Sequence, residues 1–80
     1  MERIPVQSSD IRSVGYDSKT ETLEVEFVSK SIYQYFRVPE DVYEGLMNAS
    51  SKGGYFAKAI KDNRYYGCNQ VSPKLRMLRL

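Results

Sequence analysis

The clearest pattern lies at residues 22–28, TLEVEFV, where Leu23, Val25 and Phe27 alternate with Glu24 and Glu26. A period of two puts the apolar trio on one face and the carboxylates on the other, which predicts a half-buried strand. Residues 11–17 (IRSVGYD) read as an earlier short strand, separated from it by the polar turn DSKTE. Residues 32–38 (IYQYFRV) are rich in aromatic and β-branched side chains and read as a third strand. The connection Ser29-Lys30-Ser31 is short, and connections this short force antiparallel neighbours. The three strands therefore form a meander.

The period then changes. Pro39 ends the sheet and suits the first position of a helix, and Glu40 and Asp41 place negative charge where the helix dipole favours it. Val42, Leu46 and Ala49 share one face. Gly45 falls on the same side, which predicts a close approach to the sheet. Residues 50–54 (SSKGG) break this helix and cap a second over residues 55–63. There Phe56, Ala59 and Ile60 share a face, and regular α-helical spacing turns Lys58 and Lys61 the other way. Residues 64–71 (RYYGCNQV) fit either a short fourth strand or coil packed on the core. The expected fold is α+β: a three-stranded antiparallel β-meander followed by two α-helices packed on one face, with room for a short C-terminal fourth strand. The domain is expected over residues 8–71, with residues 1–7 as a lead and 72–80 as a flexible basic tail. Its core should hold Ile11, Val14, Leu23, Val25, Phe27, Val42, Leu46, Ala49, Phe56 and Ile60.

Composition narrows the chemistry. Eighty residues make one small domain with a limited core. There is no histidine and one cysteine, Cys68. That excludes histidine-assisted nucleophiles, four-ligand structural zinc and a disulfide framework. No cofactor and no catalytic residue are expected. Cys68, with no histidine to activate it, reads as a small packing residue, and a lone thiol fits a reducing compartment, hence the cytoplasm. The N-terminus lacks an apolar run long enough for a signal peptide, and no stretch approaches the roughly 20 apolar residues of a membrane span, so no membrane partner is expected. Residues 1–51 carry nine acidic and five basic side chains, while residues 52–80 carry seven basic ones against Asp62 alone. Such asymmetry points to a polyanion partner, or to a solvated helix face and a basic tail.

The order of features also resembles a known family. The matching pieces are Ser8-Ser9-x-Ile11, Val14-Gly15-Tyr16-Asp17, Leu23-x-Val25-x-Phe27, Tyr33-x-Tyr35, and Val38-Pro39 with Val42-Tyr43 and Leu46. Ala49-x-Ser51-x-Gly53 then leads into Tyr55-Phe56, Ile60 and Tyr65. Together they resemble the KTSC domain, a small module named for the C-terminal segment of some lysyl-tRNA synthetases that also occurs as a stand-alone short bacterial protein. The family usually has glycine in the turn before its Tyr-x-Tyr strand, where this chain has Ser29-Lys30-Ser31. It often has asparagine after the Tyr-Phe pair, where this chain has Ala57. The resemblance implies RNA binding, through the attachment to a tRNA enzyme.

Three groups of residues carry candidate chemistry. Tyr33 and Tyr35, two apart on a strand, project from one face. Uncovered, they form a stacking platform for bases; covered by helices, they are core. Ser51-Lys52-Gly53-Gly54 at the start of the second helix offers backbone N–H groups and an ammonium to an anion, or is simply a capped interhelix turn. Lys58, Lys61 and Arg64 form a basic face suited to phosphates, or a solvated one. Glu24 and Glu26, about 7 Å apart on one strand face, have the separation of an acid–base pair but read as the wet side of a sheet.

The leading expectation is a non-catalytic module for RNA or another nucleic acid, with Tyr33 and Tyr35 stacking and Lys52, Lys58, Lys61 and Arg64 meeting phosphates. The alternative is a protein-interaction module acting through a sheet edge or the tail. The residues leave the oligomeric state open.

Overall fold

A computed structural model describes residues 2–61 and 66–71. Five antiparallel strands lie side by side in chain order: β1 (Ile4–Pro5), β2 (Ile11–Asp17), β3 (Thr22–Phe27), β4 (Ile32–Tyr35) and β5 (Cys68–Val71). Between β4 and β5 come α1 (Glu40–Asn48), α2 (Lys52–Phe56) and a π-helical turn, Ala57–Lys61, that continues α2. The α+β meander and the two helices are as expected, but the sheet is larger. Ile4 and Pro5, in the segment read as a lead, pair with Val14 and Ser13. The segment left between strand and coil supplies β5, which returns after the helices to pair with β4. The residues 72–80 read as a tail, and Arg64, lie outside the described residues.

The core forms on one face. Leu23 and Val25 of β3 stand opposite Tyr35 and Tyr33 of β4, so all four point the same way. Ile11, Val14, Val38, Leu46, Phe56 and Ile60 complete the buried set with Leu23, Val25 and Tyr35, and Phe27 and Val42 pack at its margin. Ile11 and Val14 are an odd number apart and would face opposite ways in a regular strand. A bulge between Ile11 and Ser13 brings both to the core face. Val38 reaches the core because the strand stops at Tyr35 and Arg37 turns the chain with a positive φ of 66°. Without that turn Val38 would lie on the face of Gln34.

The opposite face is polar yet partly closed. Glu24 is 6% exposed. It is bound by Arg3 and accepts a hydrogen bond of 2.8 Å from Gln34 Nε2. Arg3 Nε also donates to Ser13 Oγ at 3.0 Å, and Ser13 Oγ donates to Glu26 Oε1 at 2.8 Å. The expected wet carboxylate row is thus an ion-paired network that ties the N-terminal segment to β2, β3 and β4. Among the described residues, every buried side-chain N or O atom has a hydrogen-bond partner.

Gly45 allows a close approach, but to α2 rather than to the sheet. A Cβ there would stand 2.7 Å from Cζ of Tyr55. The glycine lets the two helices cross with the Tyr55 ring lying against the backbone of α1.

Candidate functional site

A groove of about 470 Å³ opens where β4, the β3–β4 turn, the start of β2 and the second helix meet. Phe27, Tyr33, Tyr35 and Phe56 give it aromatic walls, Asp10 and Lys61 supply one charge of each sign, and Ser29 and Ser31 add hydroxyls. Its volume lies in the range of small-ligand pockets.

The rings are mutually braced. Phe56 meets Phe27 and Tyr35 edge to face, each with centroids 5.4 Å apart, and Phe27 meets Tyr33 likewise at 5.8 Å. Tyr33 and Tyr35 are tilted by 31° with centroids 6.4 Å apart. The pair is not an open platform. Tyr35 is 7% exposed and belongs to the core, because it lies on the face that the helices cover. Burial, and then the side chain of its cross-strand partner Cys68, push its phenol well above the ordinary range. Tyr33, half-buried at the groove, is the ring of the pair with surface to offer. Cys68 itself is exposed, not the packing residue its isolation in the sequence suggested.

The turn that closes one end of the groove is a three-residue hairpin connection. Lys30 N donates to Phe27 O at 2.8 Å, and Phe27 N to Ser31 O at 2.9 Å. Lys30 takes a left-handed φ of 79°, the position where such a turn favours glycine. Ser29 and Ser31 flank it and line the groove.

The basic residues separate. Lys52 turns back so that its Nζ donates to Ala49 O at 3.0 Å. Lys58 is exposed and does not line the groove, whereas Lys61 does. The regular α-helical spacing that set Lys61 opposite Phe56 fails because the chain widens into a π turn after Phe56. At 3.6 residues per turn the two would lie about 140° apart. In an i→i+5 turn Lys61 comes round to the side of Phe56.

The amino end of α2 is already occupied by the chain itself. Ser51 Oγ accepts from Gly54 N at 3.3 Å, capping the helix. The Asp10 carboxylate lies against Gly53, where a Cβ would stand 2.6 Å from its Oδ2. Ser51-Lys52-Gly53-Gly54 is thus a capped interhelix turn with a carboxylate against Gly53 and its lysine turned back on Ala49 O. Asp10, absent from the sequence candidates, is the groove residue that sequence reasoning missed. Its signal was faint: a carboxylate just before a strand, with a glycine far along the chain to receive it.

A second cleft, of about 360 Å³, is lined by Glu2, Ile4, Val14, Gly15, Tyr16 and Tyr43. There the rings of Tyr16 and Tyr43 stack on each other at 4.6 Å. Burial, then the nearby charges of Glu21, Glu40, Asp41 and Asp17, raise the Tyr16 phenol above its usual value. A site surrounded by carboxylates repels phosphates and other anions.

The model of one domain family, KTSC, matches residues 7–65 of this chain. The chain belongs to the KTSC domain family. A KTSC domain protein of Yersinia pestis, known from a crystal structure, superposes with a TM-score of 0.83 at 39% identity, covering 89% of this chain and 97% of that one. An uncharacterised protein of Stutzerimonas stutzeri is 43% identical over 65 residues, 81% of this chain and 92% of its own length. A lysine–tRNA ligase of Nostoc punctiforme is 51% identical over 55 residues, 69% of this chain but 10% of the ligase. The KTSC domain thus occurs both as nearly the whole of a short protein and as a small part of a tRNA-charging enzyme. The KTSC match includes the groove residues Asp10, Phe27, Tyr33, Tyr35, Phe56 and Lys61, all within residues 7–65. No helix among the described residues is long and apolar enough to cross a membrane.

Proposed function

We propose that this KTSC domain is a non-catalytic module that binds single-stranded RNA, seating one unstacked base in the aromatic groove with Lys61 beside a flanking phosphate. The observation that carries this reading is the groove, with the partly open Tyr33 ring, the braced aromatic walls and one cation at its margin. Sequence-specific recognition of RNA works in this manner, on bases splayed out of a helix and stacked on aromatic side chains. The kinship with a segment of lysine–tRNA ligases gives the same direction.

The binding should show in fluorescence anisotropy with labelled single-stranded oligoribonucleotides. Stacking on one ring is worth about 1–3 kcal/mol, so Tyr33→Ala is expected to weaken binding roughly 5- to 150-fold, and Tyr33→Phe to retain most of it. Each phosphate contact adds about −0.7 to the slope of log affinity against log salt. With Lys61 alone of the described cations at the groove, the slope should be shallow, near one or two contacts. Unchanged binding by a folded Tyr33→Ala protein, or no binding by the wild type, would rule the proposal out.

The alternative protein-interaction role draws on β5. This strand lies at the margin of the sheet as described, with Cys68, Asn69 and Gln70 exposed. An exposed edge can receive a further strand. Such pairing would be insensitive to salt and to Tyr33→Ala.

A further inference from the structure

We infer that Asp10 makes the groove selective for guanine, a proposal that rests on the RNA reading above. Asp10 is the carboxylate of the groove lining, and its position is fixed by its surroundings. Its own N–H and that of Ile11 both donate to Ser8 Oγ at 3.2 Å, and its carbonyl accepts from Val28 N at 3.0 Å. The side chain is held on the groove wall by contact with Gly53, which has room for it because it lacks a Cβ. Among the described residues no hydrogen bond or ion pair engages the carboxylate, so its acceptor oxygens remain for a ligand.

An ionised carboxylate only accepts hydrogen bonds. Guanine carries two adjacent donors on its Watson–Crick edge, N1–H and the N2 amino group, which match two carboxylate oxygens. Adenine and cytosine each set an acceptor nitrogen beside a single amino donor, so one carboxylate oxygen would face a lone pair. Uracil offers a single N–H between two carbonyls. A site that pairs a ligand's donors rejects analogues that leave it unpaired or opposed. The opposite charge, Lys61, stands at the same groove to meet the phosphate, so base and backbone contacts fall to different residues.

The test uses the full chain and uridine-rich oligoribonucleotides that differ at one central position: guanine, hypoxanthine, adenine or uracil. The wild type is expected to bind the guanine oligonucleotide about five- to tenfold more tightly than the adenine one, with hypoxanthine between because it lacks the amino group. Asp10→Asn offers a donor and an acceptor together, so it should lose the guanine preference and gain affinity for adenine. Gly53→Ala, whose methyl group displaces the carboxylate, should also lose the preference while keeping the Tyr33 contribution. Equal affinities for guanine and adenine in the wild type, or an intact guanine preference in Asp10→Asn, overturn the inference and leave the RNA reading standing. If the wild type binds none of the oligonucleotides, the RNA reading fails and this inference fails with it.

Discussion

Lys30 is a lysine in a glycine's place. Its φ of 79° is the left-handed conformation that side-chain-bearing residues adopt at a cost, whereas glycine adopts it freely. Lys30→Gly should therefore stabilise the domain by about 0.5–1 kcal/mol, the relief of strain exceeding the added freedom of the unfolded chain. A rise in the urea midpoint at unchanged slope is the expected readout, and a fall would show that the lysine side chain supplies a compensating contact. Tyr35 leads to a pH effect. Burial raises its phenol, so the folded protein retains a proton that the unfolded chain sheds near pH 10. Above that pH the unfolded state binds fewer protons than the native one, and stability falls as pH rises, whereas below it this residue contributes no slope. In Tyr35→Phe that component of the alkaline loss should vanish. Urea midpoints measured between about pH 8 and 11 would show it, and an equally steep loss in the variant would contradict it.

At the level of elements, the N-terminal segment acts through one side chain. Arg3, just before β1, reaches across β2 to Glu24 on β3, and lies 3.8 Å from Glu26. Arg3→Ala leaves the buried Glu24 carboxylate with Gln34 as its remaining partner. Arg3 itself is 27% exposed, so the cost should fall between surface and buried pairs, about 1–3 kcal/mol. Adding Glu24→Gln should recover part of it, a coupling that a double-mutant cycle in urea would measure. Strictly additive losses would mean that the segment is held by its backbone pairing alone. The sequence showed these carboxylates as an alternating row but not their partner, because Arg3 stands outside any periodic run. The same limit hid the tyrosines' facing. Whether Tyr33 and Tyr35 or Ile32 and Gln34 turn to the core depends on the parity of the β3–β4 turn. That turn pairs Val25 with Tyr33, a fact of loop geometry rather than of strand composition.

Taken whole, the molecule divides its charge. The acidic first two-thirds of the sequence places carboxylates around the Tyr16–Tyr43 stack, and the basic remainder brings one described cation, Lys61, to the aromatic groove. Summed charge along the sequence pointed to a polyanion partner, or to a solvated helix face and a basic tail. The fold instead ties Lys52 to a carbonyl and leaves Lys58 outside the groove. That is why the shallow salt slope expected above replaces the steep one that a phosphate-covered helix would give. The meander, the helices and seven of the ten expected core residues were legible, most of them from a local period, whereas Ile11 and Val14 share the core face only through the bulge. The groove was not legible, since it joins residues from three separate stretches of chain.

The π turn after Phe56 has a consequence for anyone aligning related sequences. A winding of this kind holds one residue more than an ordinary turn. A homologue one residue shorter between Phe56 and Lys61 would set its lysine four positions after the phenylalanine, about 40° away in an ordinary turn, and so still beside the rings. A one-residue change in length here is thus absorbed by the winding, since the wide turn and the ordinary one aim that ammonium at the same side.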